Sequence, residues 1–135
     1  MTGFFDKGDP CVEIEVANPL GWTKKLKCVI DTGFTGFLSI PLMEAFPIGL
    51  LLVGTMPVTL ADGRTEYKLT CLGSALVDGE AKVGTILIEP GSSQALLGTE
   101  FLVVFAKRLI VDPIAGIVEI VASRASSASR PGSET

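Results

Sequence analysis

Val29-Ile30-Asp31-Thr32-Gly33 is the stretch of this chain best suited to chemistry. Cys28-Val29-Ile30 is wholly apolar, so a strand that enters the core ends on a carboxylate. Asp31 would then stand on the floor of a groove. Thr32 can hydrogen-bond neighbouring backbone and fix the loop, and Gly33 lets another chain approach without meeting a Cβ. An acid followed by Thr or Ser and then Gly arises by chance in on the order of 5–10% of chains this long. The tripeptide alone is weak. Its setting, between the apolar strand and Phe37-Leu38-Ser39-Ile40-Pro41, is what singles it out.

Composition narrows the chemistry further. The chain contains no histidine, which removes Ser-His-Asp and Cys-His catalysis and the commonest transition-metal ligand. Catalysis would have to use carboxylates, lysines, hydroxyls or thiols. Cys11, Cys28 and Cys71 are odd in number and lack C-x-x-C spacing, so neither a zinc site nor a full disulfide framework is expected. They read as small buried residues of a reducing compartment. The formal net charge of −4, with no basic stretch, argues against a nucleic-acid partner. The N-terminus lacks the pattern of a signal peptide. The most apolar stretch, Phe46 to Val58, is broken by Pro47, Gly49, Gly54 and Pro57, so no membrane span is expected and the default location is cytoplasmic.

At 135 residues the chain is expected to be one domain, residues 1–121, with a disordered tail over 122–135. Short apolar runs alternate with turns roughly every ten residues, and no long amphipathic helix is evident, which predicts an all-β fold. Cys11 to Val16 alternates as a half-buried strand, Asn18 to Gly21 is a turn, and Trp22 to Asp31 is the strand that carries the acid. A short helical turn is expected around Leu42–Ala45, ended by Pro47. Pro57–Leu60 and Thr65–Leu69 flank Ala61-Asp62-Gly63-Arg64 as a hairpin. A second hairpin, Gly73–Val77 with Ala81–Ile88, turns at Asp78-Gly79-Glu80. Gln94 to Leu102 reads as an apolar strand, a glycine and a helical turn. Arg108–Val111 and Gly116–Val121 close the domain. There is a faint internal echo: a hairpin, an apolar strand, a Gly-containing loop and a second apolar strand, once around Asp31 and once around Gly98. The hydrophobic fraction of 47% fits either a well-filled core or a surface covered by a second subunit.

Three ordered features resemble the retropepsin-like aspartic proteases, particularly small prokaryotic members. Cys28 to Gly33 matches the catalytic loop, the hairpin at Ala61–Arg64 stands where the family has its flap, and Ala95-Leu96-Leu97-Gly98 with Phe101-Leu102 matches the apolar-apolar-Gly element and its short helix. The resemblance runs from about Cys11 to Ile120. It implies a closed, acid-protease β-barrel forming one lobe per chain, with one or two short helical turns. It also implies an aspartic endopeptidase that hydrolyses peptide or protein substrates without cofactor or metal. Asp31, Thr32 and Gly33 would be its catalytic triplet, and Phe34, Thr35, Asp62 and Gly63 would bind substrate. Leu38 and Tyr67 are further groove candidates.

The family's chemistry needs two aspartates, and Asp-Thr-Gly occurs once in this chain, so the second carboxylate would come from a second copy across a two-fold axis. By the same resemblance Thr32 would bond across that axis. The chain departs from the family after the triplet: Phe34-Thr35-Gly36 replaces a small residue followed by a polar one that grips substrate backbone. An alternative function is a catalytically silent domain that binds peptides or dimerises. Asp31-Thr32-Gly33-Phe34-Thr35 also matches the phosphate loop of actin-like ATPases, but the chain has neither the length nor the helices for two α/β domains.

Overall fold

Positive-φ turns punctuate the strands. The computed structural model describes residues 1–125. Along these run β1 (Phe4–Asp6), β2 (Asp9–Ala17), β3 (Thr23–Ile30), β4 (Leu38–Pro41), α1 (Leu42–Ile48), β5 (Leu51–Thr59) and β6 (Thr65–Val77). There follow β7 (Glu80–Glu89), β8 (Ala95–Leu97), α2 (Thr99–Val104), β9 (Lys107–Asp112) and β10 (Ile117–Ala122). Asp78 and Gly79 have φ of 51° and 81°, the backbone of a two-residue type I′ turn whose twist suits a hairpin. Lys7 and Gly8, at 53° and 87°, repeat it between β1 and β2.

Eight strands pair in the order β1-β2-β3-β8-β4-β7-β6-β5. β2 also pairs with β6, through Glu15–Leu76, Val16–Ala75 and Ala17–Ser74. The strands β2, β3, β8, β4, β7 and β6 thereby close into the expected barrel. Val12, Ile14 and Val16 of β2 and Leu26, Cys28 and Ile30 of β3 fill it, while Glu13 and Glu15 alternate outward. Each large apolar side chain buried in this way is worth roughly 1.5–3 kcal/mol. β9 and β10 form a separate hairpin, and β10 is bound to the N-terminal segment through Gly3 N–H to Val118 O and Ile120 N–H to Met1 O.

Several local expectations change. α1 continues through Pro47 and ends at Gly49, whose left-handed backbone caps the carbonyls of Ala45 and Phe46. In so short a helix the proline forfeits only one backbone bond. The hairpin strand expected over Pro57–Leu60 begins earlier, so β5 runs from Leu51 to Thr59. β6 is one strand of 13 residues rather than two, so a single element serves both hairpins. β10 reaches Ala122 and the Ser123 N–H donates to Ala106 O, so ordered pairing passes residue 121. Residues 126–135, most of the expected tail, lie outside the described residues. Among the described residues no helix is long and apolar enough to cross a membrane.

Candidate active site

The floor is built from residues in lateral register. Ile30, Leu97, Leu38, Ile86 and Cys71 pair across β3, β8, β4, β7 and β6, and all are buried. The neighbouring row, Val29, Leu96, Ser39, Leu87 and Thr70, turns its side chains to the opposite face because successive residues of a strand alternate. Ser39 and Thr70 are buried polar residues on that row.

Asp31 follows Ile30, just beyond the point where β3 runs parallel to β8. Its N–H donates to Leu97 O at 2.9 Å, anchoring it to the barrel. Its Oδ1 accepts from the Gly33 N–H at 2.9 Å, and its carbonyl accepts from the Phe34 N–H at 3.1 Å. Asp31 is a half-buried residue, whereas Thr32 and Gly33 are exposed beside it. Among the described residues no cationic group lies within 4.0 Å of it.

The rest of the loop is held by α2. The N–H groups of Gly98, Thr99 and Glu100 donate to the carbonyls of Phe37, Phe34 and Gly36 at 3.1, 2.9 and 3.1 Å. Donors that a helix start leaves unpaired therefore clamp the loop, and α2 has no side-chain cap. The approach is close enough to demand glycine: a Cβ on Gly98 would stand 2.2 Å from Gly36 O and 2.6 Å from Phe34 O. The Phe34 ring occupies the space left by two glycines, since a Cβ on Gly36 would meet its Cζ at 2.5 Å and one on Gly98 its Cδ2 at 2.7 Å. Beneath, the rings of Phe37, Phe101 and Phe105 cluster, with Phe37–Phe101 centroids 5.3 Å apart and Phe101–Phe105 centroids 4.7 Å apart. This cluster ties loop to helix.

Two cavities flank Leu87 below β5. One, of about 320 Å³, is lined by Phe34, Ser39, Val58, Leu87 and Leu96, among others. The second, of about 510 Å³, is reached from Thr35 and Gly36 and has Met56 above it. Met56 and Val58 are two residues apart, so the same face of β5 roofs both. Together the cavities form a trough between the Asp31 loop and the β5–β6 hairpin.

Phe34 and Thr35 thus line the trough. Asp62 and Gly63 are at the exposed hairpin tip, where Gly63 has φ of 87° and Asp62 Oδ1 accepts from the Arg64 N–H at 2.9 Å. That bond and the Arg64 side chain hold the Asp62 carboxyl below the usual carboxylate range. Tyr67 pairs with Pro57 on the face of the hairpin turned away from Met56 and Val58, and it is 71% exposed. Leu38 is fully buried in the core. Neither is a lining residue of the two cavities. Leu96, Leu87, Ser39, Val58 and Met56, which line them, were not singled out in the sequence, and only strand register brings them together.

Charge and thiol groups fit a carboxylate-based site. Lys68, on the inner side of the hairpin, binds Glu89 at 3.0 Å and Glu66 at 3.1 Å, and both hold its ammonium group above the usual lysine range. Burial pushes the Cys28 thiol up to about 12 and raises those of Cys11 and Cys71, which disfavours the reactive thiolates.

No family model and no curated protein sequence matches the chain. Solved structures do. EIAV protease complexed with the inhibitor HBY-793 superposes with a TM-score of 0.61 at 11% identity, covering 78% of this chain and 95% of that one. A retropepsin-like aspartic protease from Rickettsia conorii superposes with a TM-score of 0.58 at 16% identity, covering 90% and 88%. Identity this low speaks to architecture alone. The chain has the retropepsin-like fold.

Proposed function

We propose that the chain is an aspartic endopeptidase that works as a homodimer, with Asp31 of each protomer forming the catalytic pair. The observation that carries this reading is the clamped loop: a half-buried aspartate at a strand end, fixed by backbone bonds to β8 and its loop to α2, beside a trough roofed by a hairpin. One such loop supplies one carboxylate, and the chemistry needs two. Across a two-fold axis the exposed Thr32 and Gly33 are the residues available to meet their counterparts.

Two carboxyl groups held close cannot both ionise cheaply, so they share a proton. The ionised member takes a proton from a bound water as the water oxygen attacks the peptide carbonyl. The protonated member gives its proton to the carbonyl oxygen, forming a neutral tetrahedral diol. Collapse of the diol moves a proton to the departing nitrogen, breaks the C–N bond and restores the shared proton. The substrate backbone lies in the trough beside Phe34 and Thr35, and Asp62 and Gly63 close over it and exclude water. Phe34 is compatible with this path because Gly36 and Gly98 accommodate its ring.

The test uses denatured protein as substrate at acidic and neutral pH, with and without pepstatin. Asp31→Asn is expected to lower cleavage by about 10²–10⁴-fold, the usual worth of a general acid–base group. Equal cleavage by both proteins removes the peptidase reading. Light scattering tests the pair separately, and a monomer that persists at high concentration leaves only one carboxylate per site.

A further inference from the structure

We infer that the larger cavity is a distal subsite selective for a lysine or arginine side chain, with Glu100 as the selecting group. The inference rests on the peptidase reading only in taking the trough as the path of a bound peptide. The cavity, of about 510 Å³, adjoins the Phe34 cavity at Leu87, so one extended chain can enter both. Its lining sets apolar Met56, Leu87, Phe37, Val83 and Val104 beside the hydroxyl residues Thr35 and Thr85. Val83 is 65% exposed and Met56 42%, leaving apolar surface for an occupant to cover.

Glu100 supplies the contrast. It lines the same cavity, and its own N–H is fixed to Gly36 O at 3.1 Å, which sets its Cα beside the loop. Among the described residues no cationic group lies within 4.0 Å of its carboxylate, although Glu89 and Glu66 of the neighbouring cavity and hairpin are both bound by Lys68. An apolar occupant covers the walls but takes water from a carboxylate and returns nothing. An acidic one is repelled, and a short polar one leaves the walls wet. A long basic side chain satisfies both demands, laying its methylene stem along Val83, Leu87 and Met56 while its head donates to Glu100.

The test is a set of labelled decapeptides of fixed sequence in which each position in turn carries Arg, Lys, norleucine or Glu. For wild type, kcat/KM is expected to be about 5–20-fold higher for Arg or Lys than for norleucine at one position away from the scissile bond, as for a partly solvated ion pair. Within Glu100→Gln the ratio should fall below about 2, within Glu100→Lys the preference should pass to Glu, and 0.5 M salt should shrink the wild-type ratio. Each ratio is internal to one protein, and the salt series needs no variant, so misfolding cannot mimic the result. Cleavage with no basic preference, or with one that Glu100→Gln retains, overturns the inference and leaves the peptidase reading standing. If nothing is cleaved, fluorescence anisotropy of the same peptides decides. A basic preference in binding that Glu100→Gln abolishes upholds the subsite and removes the peptidase. Absence of such binding overturns both.

Discussion

The floor and the roof of the trough are built on opposite plans. At the floor, backbone groups of the 31–37 loop are bound to β8 and α2, and the residues behind them are fully buried phenylalanine, leucine and isoleucine. At the roof, Leu51 through Pro57 are all exposed, and ladder bonds with the Asp62–Arg64 turn maintain the hairpin. Packing fixes the first region, and hydrogen bonding with local turn chemistry fixes the second. The proposed peptidase would use both kinds of construction, one to hold a carboxyl group still and one to admit a polymer.

Mutations that strike the two regions alike would break this comparison. The largest difference is expected between Phe101 and Tyr67. Phe101 is completely buried against Phe37 and Phe105, so Phe101→Ala should cost about 3–5 kcal/mol in denaturant unfolding. Tyr67→Ala, at a residue 71% exposed, should stay within about 0.5 kcal/mol.

The glycines come next. Gly98→Ala drives a methyl group into two carbonyl oxygens and should cost about 1–3 kcal/mol while displacing the Asp31 loop, seen as lost activity beyond the loss of stability. Gly63→Ala meets nothing within 4 Å and pays only for its left-handed backbone, about 1 kcal/mol. A larger cost at Gly63 than at Gly98 would reverse the assignment of rigid and pliant regions.

The smallest effect is one of pH and is confined to the roof. Because folding lowers the Asp62 carboxyl below its ordinary value of 3.8, its contribution is present above the carboxylate range and lost as pH falls through the lowered value. An NMR titration should therefore put the inflection of the Arg64 amide below 3.8 while core amides of β4 and β8 do not move with it. An inflection at or above 3.8 would mean that the turn is not holding the carboxylate.

Much of this was legible because it is local. Cys28 to Gly33 reads as a buried strand ending in an acid, and the Asp-Gly pairs at 62–63 and 78–79 mark real hairpin tips. The echo seen around Asp31 and Gly98 corresponds to Ile30 and Leu97 lying side by side in parallel strands. What escaped is non-local. β1 ends at a Lys-Gly turn with a weaker residue signal than Asp-Gly. β5 is exposed on both faces, which erases the apolar–polar alternation that betrays a strand, and its Gly54 and Pro57 suggest a loop. The barrel closure at Glu15–Leu76 and the convergence of Leu96, Ser39 and Leu87 depend on register between distant segments. Glu100 lies between Gly98 and Phe101 of the matched element but carries none of its pattern, and its interest comes from what surrounds it in space.

The single long strand β6 has a mechanical consequence. Leu69–Leu72 are stitched to both β7 and β5, but Thr65–Lys68 pair with β5 alone. The ladder is interrupted between Leu52 and Gly54, where Val53 bulges out and Gly54 has φ of 151°, directly opposite Thr70. Among the described residues, the arm beyond Leu69 toward the tip is held by β5–β6 pairing and the Lys68–Glu89 bond alone, so the roof can bend at its base while the Asp31 loop stays anchored to β8 and α2.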